Sequence, residues 1–252
     1  MRNLMLLALL ATPLAQAQSL EVGANSMLRL PTKSASVHLD QLRVGDGATL
    51  MLPATLAELK VDRLELGRDA RIAIAPSDSP LLIEAANASL GAGSEFSAPG
   101  AAGSYQRAAR SGRGLDLKLA EVEAEQLAID ARGGAGAPGY AGLDGANGQA
   151  GGCTWGQASR GFNGDDGGNG HDGAPGGRVR LSVPQSFPQE RIVVRLDGGA
   201  PGKAGDAGKA GKGGASKGCL VYRTAAGASG RAGQAGQPGL AGAAGELILQ
   251  RL

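Results

Sequence analysis

Glycine occupies every third position over four long stretches of the C-terminal half, and few folds accept that pattern. It falls at 133, 136, 139, 142, 145, 148 and 151, and resumes at 161, 164, 167, 170, 173 and 176. A third register passes through 199, 202, 205, 208, 211 and 214, and a fourth through 227, 230, 233, 236, 239, 242 and 245. The period matches an extended left-handed helix of polyproline II type, with three residues per turn and a rise of about 3.1 Å. Glycine at every turn bares one edge, so neighbouring helices can approach and exchange backbone hydrogen bonds. Collagen shares the period, but proline is sparse within the runs (Pro138, Pro175, Pro201 and Pro238) and the runs come in pairs.

The N-terminal half carries a different repeat. Leu20-Glu21-Val22-Gly23 returns as Leu42-Arg43-Val44-Gly45 and as Leu64-Glu65-Leu66-Gly67, in steps of 22 residues. Two further apolar blocks keep the step: Leu28 and Leu30, Leu50 and Leu52, Ile72 and Ile74; then Val37 and Leu39, Leu59 and Val61, Leu81 and Ile83. Alternating apolar residues put one face of a short strand inward. The spacing predicts three short strands per repeat, with a positive-φ turn at the glycine after the first. Such a repeat cannot bury its own core, so it stacks on its neighbours. The fold class that follows is all-β: a parallel β-solenoid with rungs of about 22 residues, carrying Gly-X-X polyglycine II hairpins that form a bundle. Strand-like segments at 115–119, 127–129, 179–183, 192–194 and 247–249 read as further rungs, while 121–126 fits either a strand or a helical turn.

Arg2, the apolar stretch Leu4 to Leu10 and the small residues Ala15-Gln16-Ala17 form a secretory leader, 1–17, with cleavage expected before Gln18. No later segment has the roughly 20 apolar residues of a membrane span, so an integral membrane protein is not expected. The chain has 44 Gly but only three Phe, three Tyr and one Trp, so either it is disordered or backbone pairing and regular stacking replace an aromatic core. A net charge of +2 argues against a nucleic-acid binder.

The organisation is therefore a leader, 1–17; a solenoid, 18–132, with a short Gly/Ser/Arg-rich loop near 99–114; a first hairpin, 133–178; solenoid strands, 179–198; a second hairpin, 199–245; and a terminal strand, 246–252. Each hairpin would project about 50 Å at the rise of such a helix. Each connector holds one cysteine, Cys153 or Cys219, and in an exported chain a disulfide between them would tie the tips; pairing between chains and free thiols are the alternatives. Asp144, Asp165, Asp166 and Asp172 on one hairpin face Lys203, Lys209, Lys212, Lys217, Arg223 and Arg231 on the other, which predicts side-by-side packing.

Two resemblances follow from these repeats. The 22-residue steps over 20–95 resemble secreted bacterial right-handed β-helix adhesins of the filamentous haemagglutinin type. The paired runs over 133–245 look like the polyglycine II bundles of snow flea antifreeze protein and of certain phage receptor-binding adhesins. Both concern architecture and carry no functional motif. The outward Lys, Asp and Gln depart from the antifreeze pattern.

Candidate chemistry is thin. His38 and His171 have no nucleophile beside them, and Asp40, Asp46, Asp62 and Asp69 read as solvated turn residues instead of one carboxylate row. Gly167-Gly168-Asn169-Gly170-His171-Asp172 matches one copy of a calcium nonapeptide, making Asp165, Asp166 and Asp172 candidate ligands; outward residues of a glycine helix are the alternative. Trp155 and Tyr222, beside the cysteines, read as tip caps or ligand contacts. Arg107, Arg110 and Arg113 read as a basic stripe for an acidic polysaccharide or as a solvated loop. The expected protein is non-catalytic, without cofactor, structural or adhesive, and exported to the periplasm, outer surface or medium. Its partner is an unidentified surface or matrix component, polysaccharide or envelope protein. A carbohydrate-binding module using the tips or the basic loop is the alternative.

Overall fold

Short strands stack in parallel, two per repeat. The computed structural model describes residues 18–154 and 156–252, so the expected leader lies outside the described residues. β1 (Ser19–Val22) and β2 (Met27–Arg29) lead to β3 (Ser36–Val44) and β4 (Thr49–Leu52), then β5 (Glu58–Leu66) and β6 (Arg71–Ile74). β7 (Leu81–Leu90) and β8 (Glu95–Ser97) follow, then β9 (Leu115–Ala124) and β10 (Leu127–Asp130), then β11 (Arg178–Val183) and β12 (Ile192–Arg195). The short β13 (Lys217–Gly218) and β14 (Arg223–Thr224) precede β15 (Glu246–Arg251). Odd-numbered strands β1 to β11 with β15 form a seven-stranded sheet, and β2 to β12 a six-stranded one. The pairs within both sheets are parallel, whereas β13 and β14 pair antiparallel. The architecture is all-β, nearly all parallel, with solenoid-like packing of repeated short-strand units.

The register explains the core. Leu20 lies beside Leu42, Leu42 beside Leu64, and Leu64 beside Ala88. Each inward row is therefore a column of aliphatic side chains, and Leu42, Leu50, Leu59, Leu64, Ile72, Ile83 and Leu117 are almost fully buried. Burial of each such side chain stabilises by about 1.5–3 kcal/mol. Phe96 and Phe187 are the aromatic members of the core among the described residues.

Three predicted strands per repeat become two because the third block of one repeat and the first of the next are one strand. In β3 and β5, Ser36 to Leu39 pair with Glu58 to Val61, and Gln41 to Val44 with Arg63 to Leu66. Asp40 and Asp62 fall between the two paired stretches. Each acts as an extra residue at a kink, resetting the inward alternation from Val37 and Leu39 to Leu42 and Val44. Segment 121–124 continues β9 as strand.

The turn glycines also differ from expectation. Positive φ occurs two residues later, at Asn25, Gly47, Asp69 and Gly93. Gly45 and Gly67 are small because stacked turns touch: an added Cβ would come 2.8 Å from Ala24 N and 2.6 Å from Asp46 N respectively.

The glycine runs leave this scaffold after β10 and β12, return to it at β11 and β15, and are held by backbone hydrogen bonds. Within the first pair the runs are antiparallel, with the His171, Gly168 and Asp165 N–H groups donating to the Ala137, Tyr140 and Leu143 carbonyls at 2.8, 2.8 and 2.9 Å. In the second pair Gly230, Gly233 and Gly236 donate to Gly211, Gly208 and Gly205. Across pairs, Gly136, Gly139 and Gly142 donate to Ala200, Lys203 and Asp206, and Gly164, Gly167 and Gly170 to Arg231, Gln234 and Gln237. The third run also donates to the second, through Gly205 to Gly168 and Gly208 to Asp165. The second and third runs are therefore central, and the first and fourth lie on opposite sides of them. The loop 99–114 packs at the base, where Gly100 and Gly103 donate to Arg132 and Ala135.

Candidate functional site on the glycine block

A three-residue period gives each run one glycine row and two side-chain rows, so sequence position selects a face. Tyr140, Leu143 and Ala146 of the first run lie opposite Gly168, Asp165 and Phe162 of the second, as their hydrogen bonds fix. Tyr140, Leu143 and Phe162 are 64%, 73% and 67% exposed on this face. Gly168 makes room for the Tyr140 ring, since a Cβ there would lie 2.6 Å from Tyr140 Cδ1. In a chain this poor in aromatics, these three large apolar side chains on one exposed face form the candidate contact surface.

The next row of the second run does different work. Asn163, Asp166, Asn169 and Asp172 accept, through Oδ1, the backbone N–H groups of Arg231, Gln234, Gln237 and Leu240 at 2.7–2.8 Å. Asp144 and Asn147 of the first run likewise accept from Lys209 and Lys212 of the third. These donors belong to residues that have no carbonyl opposite, so the side chains complete the backbone pairing. The hairpins lie side by side, joined by such bonds; among the described residues no Lys–Asp ion pair links them.

The same register separates the calcium candidates. Asp165 shares the row of Phe162, whereas Asp166 and Asp172 face the fourth run and are tied to Gln234 and Leu240. Asp165 and Asp166 take different faces, and Asp172 lies two triplets along the run from Asp166, so the three do not converge.

At the tip, Cys153 and Cys219 are bonded, with Cα atoms 5.6 Å apart. Cys219 N–H donates to the Tyr222 carbonyl at 2.7 Å, and the Tyr222 hydroxyl donates to the Cys153 carbonyl. Tyr222 therefore holds the two connectors together while half its surface stays exposed, and Leu220 and Val221 beside it are exposed. Trp155 lies outside the described residues.

The three loop arginines do not form one stripe. Arg107 is exposed at a tight turn with Ser104, and Arg110 pairs with Asp78 at 2.8 Å. Arg113 is fully buried, which removes it from any ligand surface. Its guanidinium donates to the Ser79, Ala75, Ala54 and Leu56 carbonyls, filling the corner of two repeats. Burial lowers its pKa, and no carboxylate lies within ion-pair distance of it among the described residues.

Two of the four aspartates do share a position, contrary to expectation. Asp40 and Asp62 are 22 residues apart and so share a repeat position. His38 Nε2 lies 3.4 Å from Asp62 Oδ1, and one ligand atom from each of His38, Asp40 and Asp62 falls within 4.8 Å of the others. All three are exposed and offer the nitrogen and oxygen donors that divalent metals accept. Asp40 Oδ2 already accepts the Gln18 N–H at 2.6 Å.

No helix among the described residues is long and apolar enough to cross a membrane. In comparison with known proteins, the chain matches no family model, no curated protein and no solved structure.

Proposed function

We propose that the chain is an exported, non-catalytic structural or adhesive protein. In this reading the stacked strands are a β-solenoid of roughly 22-residue rungs, similar to the scaffold of filamentous haemagglutinin-type adhesins. The glycine runs are polyglycine II hairpins bundled on its flank, presenting contacts to a surface or matrix component. The observation that carries the reading is the exposed apolar face with Tyr140 and Leu143 of the first run and Phe162 of the second, on a block tied by backbone hydrogen bonds and the Cys153–Cys219 bond. Rigid presentation lowers the ordering cost of binding.

The test is co-sedimentation of the purified protein with envelope and matrix fractions of the producing cells. Replacing Tyr140, Leu143 and Phe162 together by Ser should weaken retention by about tenfold or more. Equal retention of both proteins would sink the adhesive reading.

A carbohydrate-binding reading is favoured by one detail. The exposed Tyr140 ring rests on Gly168, leaving a face on which a sugar ring can stack. Tyr222, Arg107 and Arg110 remain exposed for the tip and loop variants of that reading. Glycan-array binding lost in Tyr140→Ala would select it over a protein partner.

A further inference from the structure

Parallel strands in register place equivalent side chains about 4.8 Å apart, so like charges at one position repel. Elsewhere the outer face of the long sheet obeys that rule. Arg43 lies between Glu21 and Glu65, Lys60 pairs with Glu58 and Glu84, Lys118 with Glu84, Arg180 with Asp116, and Arg178 with Glu246. Asp40 and Asp62 are a like-charged exception, neighbours at the kinks of β3 and β5.

Gln18 meets one member of that pair, Asp40. Its N–H donates to Asp40 Oδ2 at 2.6 Å, and its carbonyl accepts the Asp40 N–H at 3.0 Å. Gln18 is also the residue that follows the expected cleavage site Ala15-Gln16-Ala17. Within an uncut chain its nitrogen is a neutral amide with one proton to donate. Hydrolysis of the Ala17–Gln18 bond consumes one water, leaves the carboxylate on Ala17 and frees an α-amino group on Gln18. That group is an ammonium below its ordinary pKa of about 7.7–8.0, with three protons to donate.

We infer that Asp40, the β1-side member of the Asp40–Asp62 pair, is the docking site for the N-terminus created by leader cleavage, with the Gln18 α-ammonium pairing with Asp40 and so relieving its repulsion with Asp62. Processing thereby supplies the cation that the like-charged position lacks and fastens β1 to β3. The inference rests on the export reading above. A neutral terminus does not serve: N-terminal Gln that cyclises with loss of ammonia carries no charge to offer.

Two measurements keep the inference and the export reading apart. Intact mass and N-terminal sequencing of the exported protein should give a chain starting at Gln18 with a free amine. A start elsewhere removes the export link, and a mass lower by one ammonia overturns the inference. Separately, a chain made to begin at Gln18 is compared with one bearing Gly-Ser ahead of Gln18, each with and without Asp40→Asn and Asp62→Asn. The extension should lower Tm by about 2–4 °C in the natural background and leave the doubly substituted one unchanged. No loss in the natural background, or equal loss in both, overturns the docking site however the exported chain is processed.

Discussion

Asp166 accepts the backbone N–H of Gln234 at 2.7 Å, joining the second and fourth glycine runs through a side chain. The contact needs an oxygen acceptor and no charge. Asp166→Asn should therefore melt at the natural temperature, and Asp166→Ala should lose about 1 kcal/mol. Equal melting of the Ala variant would mean that water satisfies the Gln234 amide as well.

Close approach of the runs gives a sharp contrast between two glycines. A Cβ on Gly205 would lie 1.9 Å from the Tyr140 carbonyl oxygen, whereas one on Gly218 meets nothing within 4 Å. Gly205→Ala should cost about 1–3 kcal/mol or more by overpacking, and Gly218→Ala close to none. Chemical denaturation of the two variants distinguishes them.

Cys153 and Cys219 close a loop with a sequence separation of 66. The chain-entropy model gives about 4 kcal/mol for a loop of that size. Reduction, or Cys153→Ser with Cys219→Ser, should lower Tm, with faster hydrogen exchange at 151–154 and 216–224. An unchanged Tm would show that the backbone bonds of the runs already hold the tips together.

Arg113 sits under carbonyls from residues far back in the chain, Ala54, Leu56, Ala75 and Ser79. Arg113→Met strands those buried acceptors and should destabilise by about 1–3 kcal/mol or more. Arg113→Lys recovers part of this, because an ammonium cannot span the planar fork. A Met variant as stable as the natural chain would contradict the structural role.

Acid should loosen the scaffold through Asp130. Burial alone raises its pKa, but hydrogen bonds from the Arg132 side chain and backbone, with the Arg132 and Arg195 charges, outweigh burial and hold it below the usual value. A folded pKa below the unfolded value of about 3.9 means stabilisation that is complete above about pH 5 and is lost as pH falls through the folded pKa. Tm should drop below about pH 4, with a smaller drop in Asp130→Asn. Parallel curves for both proteins would place the acid sensitivity elsewhere.

The aliphatic columns were legible in the sequence because inward alternation at Leu42, Leu64 and their equivalents is local. The kink was not, since a break in alternation at Asp40 looks the same as a strand end until pairing with the next repeat keeps the chain extended. Arg113 shares its spacing with Arg107 and Arg110, and only the convergence of distant carbonyls sets it apart. The aspartate and asparagine ladder was readable in principle: Asn163, Asp166, Asn169 and Asp172 keep the three-residue period of the glycines beside them. Its partners were not, because which run lies opposite is decided by the order in which the strands stack. The His38, Asp40 and Asp62 grouping needed only the 22-residue step already in hand.

The row assignment of the glycine block has a consequence for how such a chain can vary. Each run is read in triplets, and its neighbours are read in the same frame. One residue gained or lost would rotate every following side chain to another face, bringing Lys209 or Phe162 where a glycine must be. Viable length changes therefore come as whole triplets, added to adjoining legs together. The hairpins grow like a ladder, by complete steps on both rails.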